Sequence, residues 1–169
     1  MYINQLNITT MNSVNVFNNQ EPNETFEDVR EFLNNISCIN SGGCGLSALV
    51  MYRWLKKYDK LPEDTKILFL DNDENNHLNN KECMTNKQGV LEAPSHVIML
   101  LKGTYMDCKK IQYNVTQRYN YILEVAENHL VDCLNNVFSW NLVFDRNTAI
   151  SQIETNLHID LSDIDKKYN

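Results

Sequence analysis

The sequence predicts an α+β fold. Two amphipathic helices precede the first strand, a tight antiparallel hairpin follows, and helical periodicity returns only afterwards. Strands and helices thus fall in separate runs. At 169 residues, with 43% apolar and 22% charged positions, the chain suits one domain with one core.

Residues 1–22 are polar, Asn-rich and end at Pro22, which reads as an extended arm or edge strand. Residues 23–169 read as a single domain, with a core over about 26–110 and a helical C-terminal extension over 111–169. The first helix spans 24–36, where Phe26, Val29, Leu33 and Ile36 recur at helical spacing and acidic residues fill the first turn. A glycine turn over 41–45 leads into a second helix ending near Tyr58. Leu46, Leu49, Val50 and Trp54 share its apolar side, and Trp54 is expected to pack it on the sheet.

The run 67-ILFL-70 reads as a buried strand, and the polar segment 71–94 as a loop. A hairpin follows, 95-SHVIMLLKG-103 pairing with 104-TYMDC-108 across Lys102 and Gly103. Ile122, Val125, Ala126, Leu130 and Leu134 suggest a helix from Tyr119 to about Leu134. A strand over 138–144, a helix over 147–157 and a capped tail over 161–169 complete the expectation.

A net charge of −7 argues against nucleic acid or an anionic membrane as partner. No apolar run approaches the roughly 20 residues that span a bilayer, and the first residues have neither a basic start nor an apolar middle. Five cysteines without a CxxC pair read as reduced thiols in a cytoplasmic setting, with no cofactor or zinc cluster implied. The sequons at Asn7, Asn23, Asn35 and Asn114 then carry no glycan. The 25 asparagines look like the bias of an AT-rich genome, that of a low-GC bacterium or its phage, which would put the protein in a host cytoplasm or a virion.

Three of the five glycines surround Cys44. A cysteine in the first turn of a helix sits near unpaired N–H groups and the positive end of the helix dipole, both of which favour a thiolate. Small flanking residues leave its sulfur approachable and its backbone N–H groups open to an oxyanion. The plain alternative is a small buried residue in a turn. A thiolate nucleophile also needs a base and a group to orient that base. His96 opens one hairpin strand and Asp107 closes the other, so the two should face each other near one end.

The stretches "SGGCGLSALVMYRWL" and "SHVIMLLKGTYMDCK" together resemble papain-like cysteine peptidases of the transglutaminase-like kind, over about residues 26–110. The resemblance implies a nucleophile at a helix N-terminus packed on a small antiparallel sheet. It makes Cys44 the nucleophile, His96 the general base and acid, and Asp107 the orienting group. It also implies amide hydrolysis or acyl transfer through an acyl-enzyme, with a protein or peptide as substrate. Papain-type enzymes often carry an oxyanion-hole glutamine shortly before the cysteine. This chain has Ser37, Cys38 and Ile39 there, so Asn40 is the nearest substitute. The rival reading is a non-catalytic structural or interaction protein of a phage or virion that keeps this fold, with 1–22 and 111–169 as assembly surfaces.

The loop 71-DNDENNHLNNKE-82 has the spacing of a calcium loop, with Asp71, Asp73, Asn75 and Glu82 as candidate ligands. Asn76 replaces the required glycine, and a strand precedes it, so a solvated loop is the simpler reading. His129 reads as a surface residue of a helix, His158 has no evident partner, and Tyr52 and Trp140 read as core. Cys38, Cys83, Cys108 and Cys133 lack metal spacing, and Cys108 should point away from Asp107 on a strand.

Overall fold

The computed structural model of the chain describes residues 22–72, 76–77, 85–86, 94–136 and 144–166. Helix α1 (Phe26–Asn35) opens on a reciprocal cap. Thr25 Oγ1 accepts from the Asp28 N–H at 3.2 Å, and Asp28 Oδ2 accepts from the Thr25 N–H at 2.7 Å. A 3-10 turn (Ile39–Ser41) then leads to α2 (Cys44–Lys57). No side chain caps α2, a loss of about 1 kcal/mol. Against that, Leu46, Leu49, Val50, Met51, Trp54 and Leu55 are all buried, each contributing about 1.5–3 kcal/mol. Packing wins.

The Gly43 position before Cys44 is set by close approach. A Cβ there would stand 2.6 Å from Phe144 Cζ and 2.8 Å from both Cδ1 and the carbonyl oxygen of Ile39. Gly43→Ala should therefore cost about 1–3 kcal/mol through overpacking. Urea denaturation of the variant measures this, and an unchanged midpoint would mean that Phe144 and Ile39 can give way.

Strand β1 (Lys66–Asp71) lies inside a four-stranded antiparallel sheet with β4 (His96–Leu101), β5 (Thr104–Met106) and β6 (Tyr121–Val125), in the order β5-β4-β1-β6. A separate ribbon pairs β2 (Asn76–His77) with β3 (Thr85–Asn86), so the segment expected to be only loop contains a short hairpin. The β4–β5 turn has φ of 48° at Lys102 and 73° at Gly103, which suits a two-residue hairpin loop and needs glycine at the second position. One sheet face, with Ile67, Phe69, Val97 and Met99, packs on the helices; the other, with Leu68, Leu70 and Ile98, is covered by Val115. This double coverage explains why 67-ILFL-70 reads as an unbroken apolar run.

The C-terminal part departs from expectation. Helix α3 (Val115–Arg118) is a single turn. Residues 121–125, expected to be helical, instead form β6, with Ile67 opposite Val125 and Asp71 opposite Tyr121. The helix α4 begins only at Glu127 and runs to Asn136. Ile122, counted towards the helical stripe, is 37% exposed, while Val125 is buried. The alternating pattern won because an edge of β1 was open for pairing.

Helix α5 (Arg146–Leu157) follows, with Asp145 accepting from the Thr148 N–H at 2.9 Å. Ala149, Ile150, Ile153, Ile159, Leu161 and Ile164 all enter the main core. The C-terminal third is thus part of the domain, supplying a strand as well as helices. Trp54 is buried in the core shared by the helices and one sheet face, with ring neighbours Phe26 of α1 at 6.0 Å and Tyr58, at the end of its own helix, at 5.1 Å.

The far end of α2 is held to this C-terminal part. Arg53 binds Asp163 at 2.6 Å and Glu127 at 2.9 Å, and Lys56 binds Glu127 at 2.8 Å. Lys57 donates to the His158 carbonyl at 2.8 Å. The arm at 1–21, the strand expected over 138–143, Trp140 and Cys83 lie outside the described residues. Among the described residues no helix is long and apolar enough to cross a membrane.

Candidate active site

Cys44 is the first residue of α2 and is half-buried. No side chain caps that helix, so the N–H groups of its first turn have no side-chain acceptor. The neighbouring Ser47 hydroxyl donates to the Cys44 carbonyl at 3.0 Å, which ties down the turn from within.

His96 is the first residue of β4. Its start is fixed by Ser95, whose hydroxyl donates to Asp71 Oδ1 at 2.8 Å. The His96 Nε2 lies 3.0 Å from Asp107 Oδ2. Cys44 lies near enough to the same ring to act on its proton affinity. Burial pushes the His96 pKa down, but hydrogen bonds to Asp107 and Cys44, with the charges on both, raise it to about 9. The ring therefore carries its proton at neutral pH.

Asp107 reaches the histidine by a route other than the expected strand pairing. Strand β5 ends at Met106, and Asp107 opens a turn closed by its own N–H donating to the Lys110 carbonyl at 3.1 Å. The N–H groups of Lys109 and Lys110 donate to Asp107 Oδ1 at 2.9 and 2.8 Å, and Gln112 Nε2 donates to Oδ2. With Oδ1 held by the turn, Oδ2 is aimed at the imidazole. Burial raises the carboxyl pKa, but the bonds from His96, the Lys110 backbone and Gln112 lower it to about 2. Asp107 is therefore a carboxylate throughout the physiological range.

Two residues absent from the sequence reading complete the surroundings. Arg30 Nε donates to the Asp107 carbonyl at 3.1 Å, and its Nη1 binds Glu27 at 2.7 Å. A signal for it existed: Arg30 occupies the third position of the 26, 29, 30, 33 stripe, where a cation amid core residues needs a buried partner. Gln112 is buried against Asp107, and Arg118 donates to its Oε1 at 3.3 Å. No periodicity marks it, because the turn at 107–110 alone brings it there.

Asn40 lies in the 3-10 turn before Cys44, but its amide is anchored. Nδ2 donates to Asn34 Oδ1 at 3.0 Å, and Oδ1 accepts from Cys108 at 3.3 Å. Only its second N–H is left for an oxyanion. Cys108 is buried like Asp107, and burial raises its thiol pKa to about 11, which marks it as inert.

Of the calcium-loop candidates, Asp73, Asn75 and Glu82 fall outside the described residues. Asp71 is a buried strand residue whose Oδ1 is taken by Ser95 and the Asn72 N–H. Among the described residues no group of three or more His, Cys, Asp or Glu is placed to hold a metal ion. His129 is half-buried: its Nε2 is covered without a hydrogen-bond partner, and its ring lies 6.1 Å from Phe69. No protein-family model, curated protein or solved structure matches the chain, so the likeness to papain-type enzymes rests on the residues quoted above.

Proposed function

We propose that this protein is a thiol-dependent amide hydrolase or acyltransferase working through Cys44, His96 and Asp107. The observation that carries the reading is the His96 Nε2–Asp107 Oδ2 contact at 3.0 Å, with Cys44 at the head of its helix near enough that it and Asp107 together raise the His96 pKa to about 9. A protonated histidine is the partner that a cysteine thiolate requires.

In this mechanism the Cys44 sulfur attacks an amide carbonyl, forming a C–S bond while the carbonyl oxygen takes the negative charge. The first-turn N–H groups of α2 receive that charge, with the second N–H of Asn40 as a further donor. His96 gives its proton to the departing amine as the C–N bond breaks, leaving a thioester. Water or an amine then attacks the thioester, His96 takes the proton, and the sulfur is released. Asp107 keeps Nε2 protonated and the ring oriented throughout.

The test is alkylation by iodoacetamide over a range of pH, with modified cysteines located by mass spectrometry. Cys44 should label faster than the half-buried Cys38 and the buried Cys108 and Cys133, and His96→Ala should remove that lead. Cys44 labelling no faster than Cys38 at every pH would leave a fold without the chemistry, and a binding or structural role would take its place.

A further inference from the structure

Beside the turn that follows Asp107 the surface opens into a cleft of about 520 Å³. Two residues that hold Asp107, Arg30 and Gln112, also line this cleft. We propose that the cleft binds an acidic peptide segment with an apolar residue beside its carboxylates, as an extended subsite for the substrate. The proposal rests on the thiol-hydrolase reading for the word substrate, but not for the binding itself.

Charge is the first support. Arg30, Lys109, Lys110 and Arg118 line the cleft against one carboxylate, Glu27, which Arg30 already binds at 2.7 Å. Lys109 and Lys110 are exposed and have no ion-pair partner among the described residues. The Arg118 contacts are a neutral amide oxygen at 3.3 Å and the Tyr119 ring at 5.7 Å. A cationic concavity on a chain of net charge −7 is a local inversion, and such inversions select the sign of a partner.

Apolar exposure is the second support. Only three large apolar or aromatic side chains stand exposed among the described residues, and two of them, Tyr113 at 73% and Ile111 at 39%, line this cleft. Cations interleaved with an exposed aromatic and an aliphatic residue match a peptide carrying both carboxylates and an apolar side chain. A nucleic acid fits less well, because the remaining surface of the protein would repel a long polyanion. The cleft of similar volume at the far end of α2 offers a contrast: its Arg53, Lys56 and Lys57 are bound to Glu127, Asp163 and the His158 carbonyl, so its charge is already satisfied.

The test is fluorescence anisotropy with a fluorescein-labelled peptide of alternating Glu and Leu, its Gln-for-Glu counterpart, and a single-stranded oligonucleotide of matching charge. The acidic peptide should bind wild type and Cys44→Ala alike. It should bind roughly tenfold more weakly to Lys109→Glu/Lys110→Glu, and more weakly at high salt. Tyr113→Ala should also weaken it without altering the salt dependence. Equal binding of the Gln peptide, no loss in the charge-reversed variant, or tighter binding of the oligonucleotide would overturn the assignment. Binding to a protein whose Cys44 proves unreactive would uphold the cleft and remove only the catalytic reading. A reactive Cys44 without peptide binding would do the reverse.

Discussion

His96→Ala slows alkylation of Cys44 about tenfold at about pH 6, the expected net of two opposing effects. Losing the imidazolium removes the cation that favours a neighbouring thiolate, which slows the reaction. A thiolate stabilised by a neighbour is also a weaker nucleophile, with a Brønsted slope of about 0.4–0.5, which returns part of that loss. Turnover of an amide should suffer far more, by about 10²–10⁴, because the proton donor to the leaving amine is lost as well. Asp107→Asn should fall between the two proteins: it retains a side chain of the same shape beside Nε2 but removes the charge that holds the ring protonated. Mass-spectrometric labelling rates for the three proteins decide it. Equal rates for wild type and His96→Ala would end the catalytic reading.

The second large effect is on stability. The His96 pKa lies at about 9 in the fold against 6.5 ordinarily, so its contribution is complete below pH 6.5 and is lost as pH rises through 9. The Asp107 pKa is depressed from 3.8 to about 2, so its contribution is complete above pH 3.8 and is lost as pH falls through 2. The pair therefore stabilises the fold most between pH 3.8 and 6.5. Because both shifts describe one interaction, it counts once, at no more than about 3 kcal/mol. Urea denaturation of wild type and His96→Gln should show a gap of that order near about pH 5 that closes by about pH 10. A gap that does not change over this range would mean that the histidine contributes by packing alone.

Where a periodic pattern met a face that was buried as expected, the sequence was readable. Phe26, Val29 and Leu33 gave α1, and 67-ILFL-70 gave β1. The hairpin around Gly103 followed from turn chemistry, and with it came His96 at the head of β4. The 121–125 segment was misread because Ile122, Val125, Ala126 and Leu130 satisfy a helical spacing by coincidence. Only the open edge of β1 favours the strand, and that edge belongs to tertiary structure.

Asp107 was found for an incomplete reason. Simple pairing across the hairpin continues only to Met106, and it is the turn at 107–110, with its two backbone donors, that aims the carboxylate. Arg30 could have been noticed as a cation on an apolar stripe, whereas Gln112 could not. His129 misled because its polar atom is buried without a partner, an arrangement no local pattern announces.

The tie between the far end of α2 and Glu127, His158 and Asp163 has a consequence in time as well as in space. A ribosome delivers Cys44, His96 and Asp107 well before it delivers those anchors, or the Ile150, Ile153 and Ile164 that complete the core around the helix. The Cys44 helix thus gains its full support only when nearly the last of these residues has emerged. A nascent chain would already carry all three chemical groups, yet it would lack the rigid frame that makes them act as one.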